Sequence, residues 1–254
     1  MATARSSTGH ILFPCPCCGF RTLTASGSSQ QRCPICYWFD YTLSSTYDHW
    51  KLWNAQVSFE RSGASSPAWA ELTRAANSAD SRDPNHTIDD APERLRITLF
   101  ADAEQKVYDA FAGIAPTGRI TLGEAYRGEV TTPGHPWDWH DQDEHWWEIP
   151  DEVLDASARL AGIFSHGNYA SCLYYIAAYL TKDLRTGDDT GLSAVTRLRW
   201  HGLNGETAPP ESLLTPTQRA AVAAFLRYMT AFSSPAYTRD IAESAISRFE
   251  DTVA

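Results

Sequence analysis

Three cysteines fall within four residues at the start of the chain, Cys15, Cys17 and Cys18 in "FPCPCCGFRTL", and two more follow in "QRCPICYWFD" at Cys33 and Cys36. Thiols in close pairs support two kinds of chemistry, disulfide exchange and metal ligation. Cys15-x2-Cys18 and Cys33-x2-Cys36, fourteen residues apart, have the two-arm spacing of a tetrahedral thiolate site. Each arm has proline directly after its first cysteine. Two intervening residues form a tight turn that brings both sulfurs to one ion while its backbone N–H groups point back at them. Zinc suits four thiolates at about 2.3 Å without redox chemistry, and with all four positions filled by protein the site is closed and structural. The expectation is one structural zinc ion on Cys15, Cys18, Cys33 and Cys36. Cys17 has the wrong offset from Cys15 for this turn and reads as a packed thiol, although a pairing that leaves Cys18 spare is conceivable. Cys172, alone in an apolar run, reads as core. Gly19 can supply a positive φ after the first arm, whereas Tyr37 stands at the equivalent place in the second, which predicts a less regular turn there. Four thiolates around a divalent ion leave a net charge near −2, and Arg21 and Arg32 lie close in sequence to offset it.

A second stretch also carries chemistry. "HPWDWHDQDEHWWEIPD", residues 135–151, contains Trp137, Trp139, Trp146 and Trp147, histidines at His135, His140 and His145, and acids including Asp138, Asp141, Asp143, Glu144 and Glu148. The five-residue interval between histidines suits neither one helical face nor an HExxH motif, and no nucleophile or base is marked nearby. A metal-dependent hydrolase using this loop is therefore an alternative rather than the main reading. As a recognition loop, Trp137, Trp139, Trp146 and Trp147 offer anchors, and Asp141, Asp143 and Glu144 offer carboxylates to a basic partner. The competing interpretation folds the indoles onto the core and leaves the acids solvated.

These groups must be positioned by the rest of the chain. The 254 residues carry a net charge of −10, unevenly placed: residues 1–86 hold seven Lys/Arg and six Asp/Glu, the remainder fourteen against twenty-five. The acidic part repels nucleic acid and attracts basic partners. Nucleic-acid binding by the ribbon is a second alternative, weakened by the near-neutral balance of residues 1–86. The opening "MATARSSTGH" has no apolar h-region and no run of about 18 apolar residues occurs, so a cytoplasmic protein without membrane attachment is expected.

Helical spacing of Trp50, Trp53 and Val57 follows the cysteine arms, and Pro67 suits the first turn of a short helix. "SADSRDPNHTIDDAP", residues 78–92, has little to bury and reads as a linker. Beyond it the pattern is helical. Asp102 is expected to cap "AEQKVYDAFAG", with Gly113 as its terminator; Thr121 and Glu124 have capping-box spacing; Pro150 and Asp151 open another helix. Asn168 to Gly187 brackets a helix apolar nearly all round, and Thr215, Pro216 and Gln218 start another, with a last one following Pro235. The fold class is a small β-rich zinc ribbon with a following helix (1–66), a short helix and polar linker (67–92), and an acidic, mainly α-helical domain (93–254).

"PCPCCGFRTL", "CPICYW" and "LWNAQVSFERSG" resemble the bacterial cysteine-rich CPCC family over roughly the first 63 residues, which implies a zinc-ribbon-like fold and no established activity. The chain departs from that pattern after the second arm, where "FDY" replaces the expected acidic pair. "WWEIPDEVLDASARLAGIFSHGNYASCLYYIAAYL" with "LLTPTQRAAVAAFLRYM" is similar to an uncharacterised helical bacterial domain, from about Ile97 to Met229. Domains of both kinds resemble pieces found around bacterial toxin and immunity loci. Charge, tryptophan loop and this context together give the expected function: a zinc-stabilised protein-binding module, an immunity-like or antitoxin-like inhibitor that occludes a basic partner such as a toxin.

Overall fold

The computed structural model describes residues 11–25, 27–115, 145–149, 154, 164, 168–201 and 206–250, and divides into two compact units, Met1–Leu95 and Arg96–Ala254.

In the first unit, β1 (Phe13–Pro14) pairs antiparallel with β2 (Arg21–Leu23), with an irregularity between Phe13 and Pro14. Helix α1 (Thr46–Ser62) starts on a capping box, in which Ser45 accepts from the Asp48 amide and the Asp48 carboxylate accepts from that of Ser45. It ends at Gly63, whose φ of 76° supplies the left-handed C-cap. Its Ala55 joins a core made chiefly of Cys15, Cys17, Cys18, Cys33, Cys36, Leu23, Ile35 and Trp38, with Phe20, Leu52 and Phe59 against it. So few apolar side chains make a weak core alone, which is why the cysteine group matters to this unit.

Pro67–Leu72 forms a 3-10 helix. Within residues 78–92, expected as a linker, Ser81–Asp83 and His86 lie against the ribbon. Arg82 bridges Phe20, Arg21 N–H donates to Ser81 O (2.9 Å), and Asp83 N–H donates to Gly19 O (2.9 Å). A polar segment can lose its freedom in this way because its backbone groups find ladder partners, a source of order that side-chain composition does not reveal.

Helix α2 spans Ala91–Phe111. The helix expected to start at Ala103 after an Asp102 cap therefore begins twelve residues earlier, and Asp102 is an interior residue paired with Lys106 (2.8 Å). Aspartate is as much at home in an i,i+4 pair as at a cap. In the second unit, α3 (Tyr169–Thr186) opens on Asn168, which accepts from the Ser171 amide, and closes on Gly187 at φ 77°. Every residue from Ser171 to Leu184 is buried, as its all-round apolar sequence requires. Helix α4 (Thr190–Thr196) crosses it so closely at Gly191 that a β-carbon there would lie 2.9 Å from the α3 backbone. Strands β3 (Trp200–His201) and β4 (Thr207–Ala208) form a short antiparallel pair, and Trp200, fully buried, donates from Nε1 to Ala194 O (3.0 Å). After the single turn α5 (Pro210–Leu213), helices α6 (Pro216–Phe232) and α7 (Ala236–Glu250) pack as a pair. The Thr215 and Gln218 capping box opens α6. Arg248 of α7 holds Glu211 with both carboxylate oxygens engaged, at 3.0 and 2.5 Å. The architecture is a small cysteine-centred ribbon followed by a mainly helical remainder. The expected capping sites at Thr121 and Asp151 lie outside the described residues.

Candidate metal centre and aromatic cluster

The two cysteine arms form two turns of the same geometry. In the first, Gly19 N–H donates to Cys15 O (2.9 Å) and Cys15 N–H to Phe20 O (2.8 Å); in the second, Tyr37 N–H donates to Cys33 O (2.8 Å) and Cys33 N–H to Trp38 O (2.9 Å). Gly19 has φ 75° and Tyr37 φ 64°. The second turn is thus as regular as the first, against the sequence expectation. Tyrosine in this region costs about 1–2 kcal/mol. Its ring lies 4.7 Å beneath the Arg32 guanidinium and 6.0 Å from Trp69, contacts that help hold it there.

The four predicted ligands meet. Cys15 and Cys36 Sγ atoms are 3.7 Å apart, Cys18 and Cys33 Sγ atoms 3.6 Å, and all four lie within 4.8 Å of one another, fully buried. A tetrahedron of sulfurs about 2.3 Å from a central ion has edges of about 3.8 Å, so the spacing fits a tetrathiolate metal site. Hydrogen bonds from Cys15, Cys18 and Cys36 push the Cys33 thiol down, while those made with Cys18 push Cys15 up and those made with Cys15 push Cys36 up. Thr22 Oγ1 sits 3.2 Å from Cys33 Sγ, an additional polar contact that spacing gave no sign of. Arg21 pairs with Asp83 (3.7 Å) and Arg32 lies over its aromatic neighbours, so these two cations have other partners as well. Cys17 is buried at 1 % exposure and outside the group of four; no cysteine forms a disulfide.

The chain following the ribbon braces each turn. Gln56 of α1 donates to Pro16 O (2.9 Å); Ser65 N–H reaches Cys36 O (2.7 Å) and Arg74 N–H reaches Pro34 O (3.0 Å). His86 packs against Gly19. None of these braces is visible in the motif itself.

The tryptophan loop is described from His145 to Ile149; Trp137, Trp139, Asp141, Asp143 and Glu144, with His135 and His140, lie outside the described residues. Trp146 and Trp147, adjacent in a 3-10 turn (Trp146–Glu148), have opposite fates. Trp146 is 2 % exposed and donates from Nε1 to Phe111 O (3.2 Å). Trp147 is 39 % exposed, with Tyr108 at 5.2 Å and His145 stacked flat on it at 4.3 Å. One indole fixes the turn to α2 and the next stands outward. Among the described residues the four cysteines are the one group suited to a metal, and no helix there is long and apolar enough to cross a membrane.

Residues 13–80 match the family model described as cysteine-rich CPCC. That span reaches past α1 to Arg74 and Asp80, the part of the chain that folds back on the turns. No curated protein and no solved structure matches the chain. Residues 101–249, more than half of the chain, match the model of a family of unknown function, DUF6714, and the chain belongs to that family.

Proposed function

We propose that the chain is a zinc-stabilised protein-binding module, and that its second unit acts as an immunity-like or antitoxin-like inhibitor by covering a basic surface of a partner protein. The zinc assignment is supported by four buried thiols at tetrahedral spacing with no position left for water or substrate. The ion would hold the ribbon together and take no part in chemistry.

The observation that carries the binding reading is the aromatic cluster of Tyr108, His145 and Trp147, exposed on an acidic unit and pinned from beneath by Trp146. An outward indole on a fixed turn supplies contact area at little entropic cost. The acidic excess of this unit steers a cationic partner and speeds encounter, while the aromatics slow release.

The test is co-purification with proteins encoded beside this one, followed by titration of the purified pair. Trp147→Ala and charge reversal at Asp141, Asp143 and Glu144 should each weaken binding, the latter with loss of salt dependence. A pair whose affinity is unchanged by both sets of variants would overturn the reading, as would the absence of any such pair. Elemental analysis showing no zinc at about one ion per chain would overturn the metal assignment separately.

A further inference from the structure

A cavity of about 390 Å³ in the second unit lies between α2, α6 and α7, lined by Lys106, Arg219, Ala220, Arg227, Phe249 and Glu250 among others. On the α6 side its lining includes the small residues Ala220 and Ala223. Its charge runs against that of its surroundings. From Arg96 onward the chain has thirteen Lys/Arg against twenty-two Asp/Glu, yet this cavity gathers three cations and one carboxylate.

The three cations are placed in different ways. Arg219 is half-buried, and its Nη1 donates to Leu214 O (2.9 Å), which fixes the guanidinium while leaving further N–H donors on the group. Arg227 reaches Glu250 Oε1 from Nε (3.1 Å) and Nη2 (2.6 Å), and Lys106 reaches Asp102 (2.8 Å). Both of these pairs are about half exposed, and pairs of that kind stabilise little, so an incoming anion can share or displace them. Phe249, 3 % exposed, supplies an apolar wall.

From this geometry we infer that the cavity binds a small organic anion, a carboxylate or phosphate monoester carrying an apolar body of about the size of a phenyl ring. The anionic group meets Lys106 and the two guanidinium groups, whose paired N–H donors match two oxygens of a carboxylate or a phosphate. The apolar body rests on Ala220 and Phe249. The volume is that of a site for an organic ligand rather than for a bare ion, which would leave most of it unfilled. This site is independent of the partner surface around Trp147.

Phenyl phosphate, benzoate and inorganic phosphate serve as probes, titrated into the isotope-labelled full chain and followed by amide chemical shifts and calorimetry. Saturable binding of phenyl phosphate or benzoate is expected, with shifts at Lys106, Arg219 and Phe249, and weaker binding of inorganic phosphate. Lys106→Gln should lower affinity by about tenfold or more, the loss of one charge-assisted hydrogen bond. Ala220 is exposed, so Ala220→Leu fills the cavity from its open side and should abolish binding while leaving the unfolding midpoint in place. The inference fails if neither organic anion saturates at millimolar concentration. It also fails if inorganic phosphate binds as tightly as phenyl phosphate, or if K106Q and A220L bind like the parent chain.

Discussion

Gly19 and His86 lie so close that a β-carbon on Gly19 would sit 2.6 Å from Cγ of the histidine. Glycine suits the residue after the first cysteine pair for two reasons: its φ of 75° favours glycine, although Tyr37 tolerates a similar φ in the second turn, and the ring packed against it leaves no room for a β-carbon. Gly19→Ala should destabilise the first unit by about 1–3 kcal/mol in denaturant unfolding of the metal-loaded chain. Adding His86→Ala removes the collision and should restore part of that loss, leaving the cost of the backbone conformation. A double variant no better than G19A would show that the ring contact contributes nothing.

Cys17 and Cys18 are neighbours with different work. Cys18→Ser should abolish stoichiometric metal binding, whereas Cys17→Ser should retain one ion per chain, as read by elemental analysis after gel filtration. Removing the ion with a chelator should expose the amides of residues 13–39 to hydrogen exchange, because metal binding of this kind contributes on the order of 10 kcal/mol to folding. Amides of α3, buried by its own helical neighbours, should keep their protection.

Trp146 and Trp147 should separate stability from recognition. Trp146→Ala removes a buried indole and leaves Phe111 O without its donor, at a cost of about 3–5 kcal/mol in the unfolding free energy of the second unit. Trp147→Ala should change that free energy by less than about 1 kcal/mol. Equal losses for the two variants would remove the distinction between anchor and exposed surface.

Asp183 lies at the end of α3 with no exposed surface, accepting from Leu192 N–H (3.1 Å) on one oxygen, while Oδ1 has no hydrogen-bond partner among the described residues. Burial pushes its carboxyl up to about 8. The unfolded chain loses this proton near pH 4, the folded chain only near pH 8, so unfolding releases a proton between these values and stability falls as pH rises through that window. Asp183→Asn keeps a neutral acceptor for Leu192 and should flatten this part of the profile. The difference in melting temperature between variant and parent should widen in the variant's favour from pH 5 to pH 8. A constant difference across that range would mean the buried carboxyl is ionised throughout.

Local chemistry made several features legible in the sequence. The two-residue gap within each cysteine pair fixes a tight turn, and the terminators at Asn168, Gly187, Thr215 and Gln218 act through hydrogen bonds to residues two to four positions away, so spacing alone reveals them. An all-round apolar run likewise announces a buried helix such as α3. Features that depend on distant partners were not legible. Residues 78–92 look unstructured by composition, yet Ser81–Asp83 pair through backbone groups with the first knuckle, and Tyr37 keeps a left-handed turn with Arg32 and Trp69 beside it. Nor could the order "HWWE" show which indole faces inward, since that depends on where Phe111 places its carbonyl. The sequence by itself picked out the four cysteines that meet and the helix ends at Asn168, Gly187 and Thr215, because those interactions span a few residues. The tertiary structure alone decided what braces the knuckles, which tryptophan is exposed and where cations gather on an acidic chain, because each depends on residues brought together from far apart in sequence.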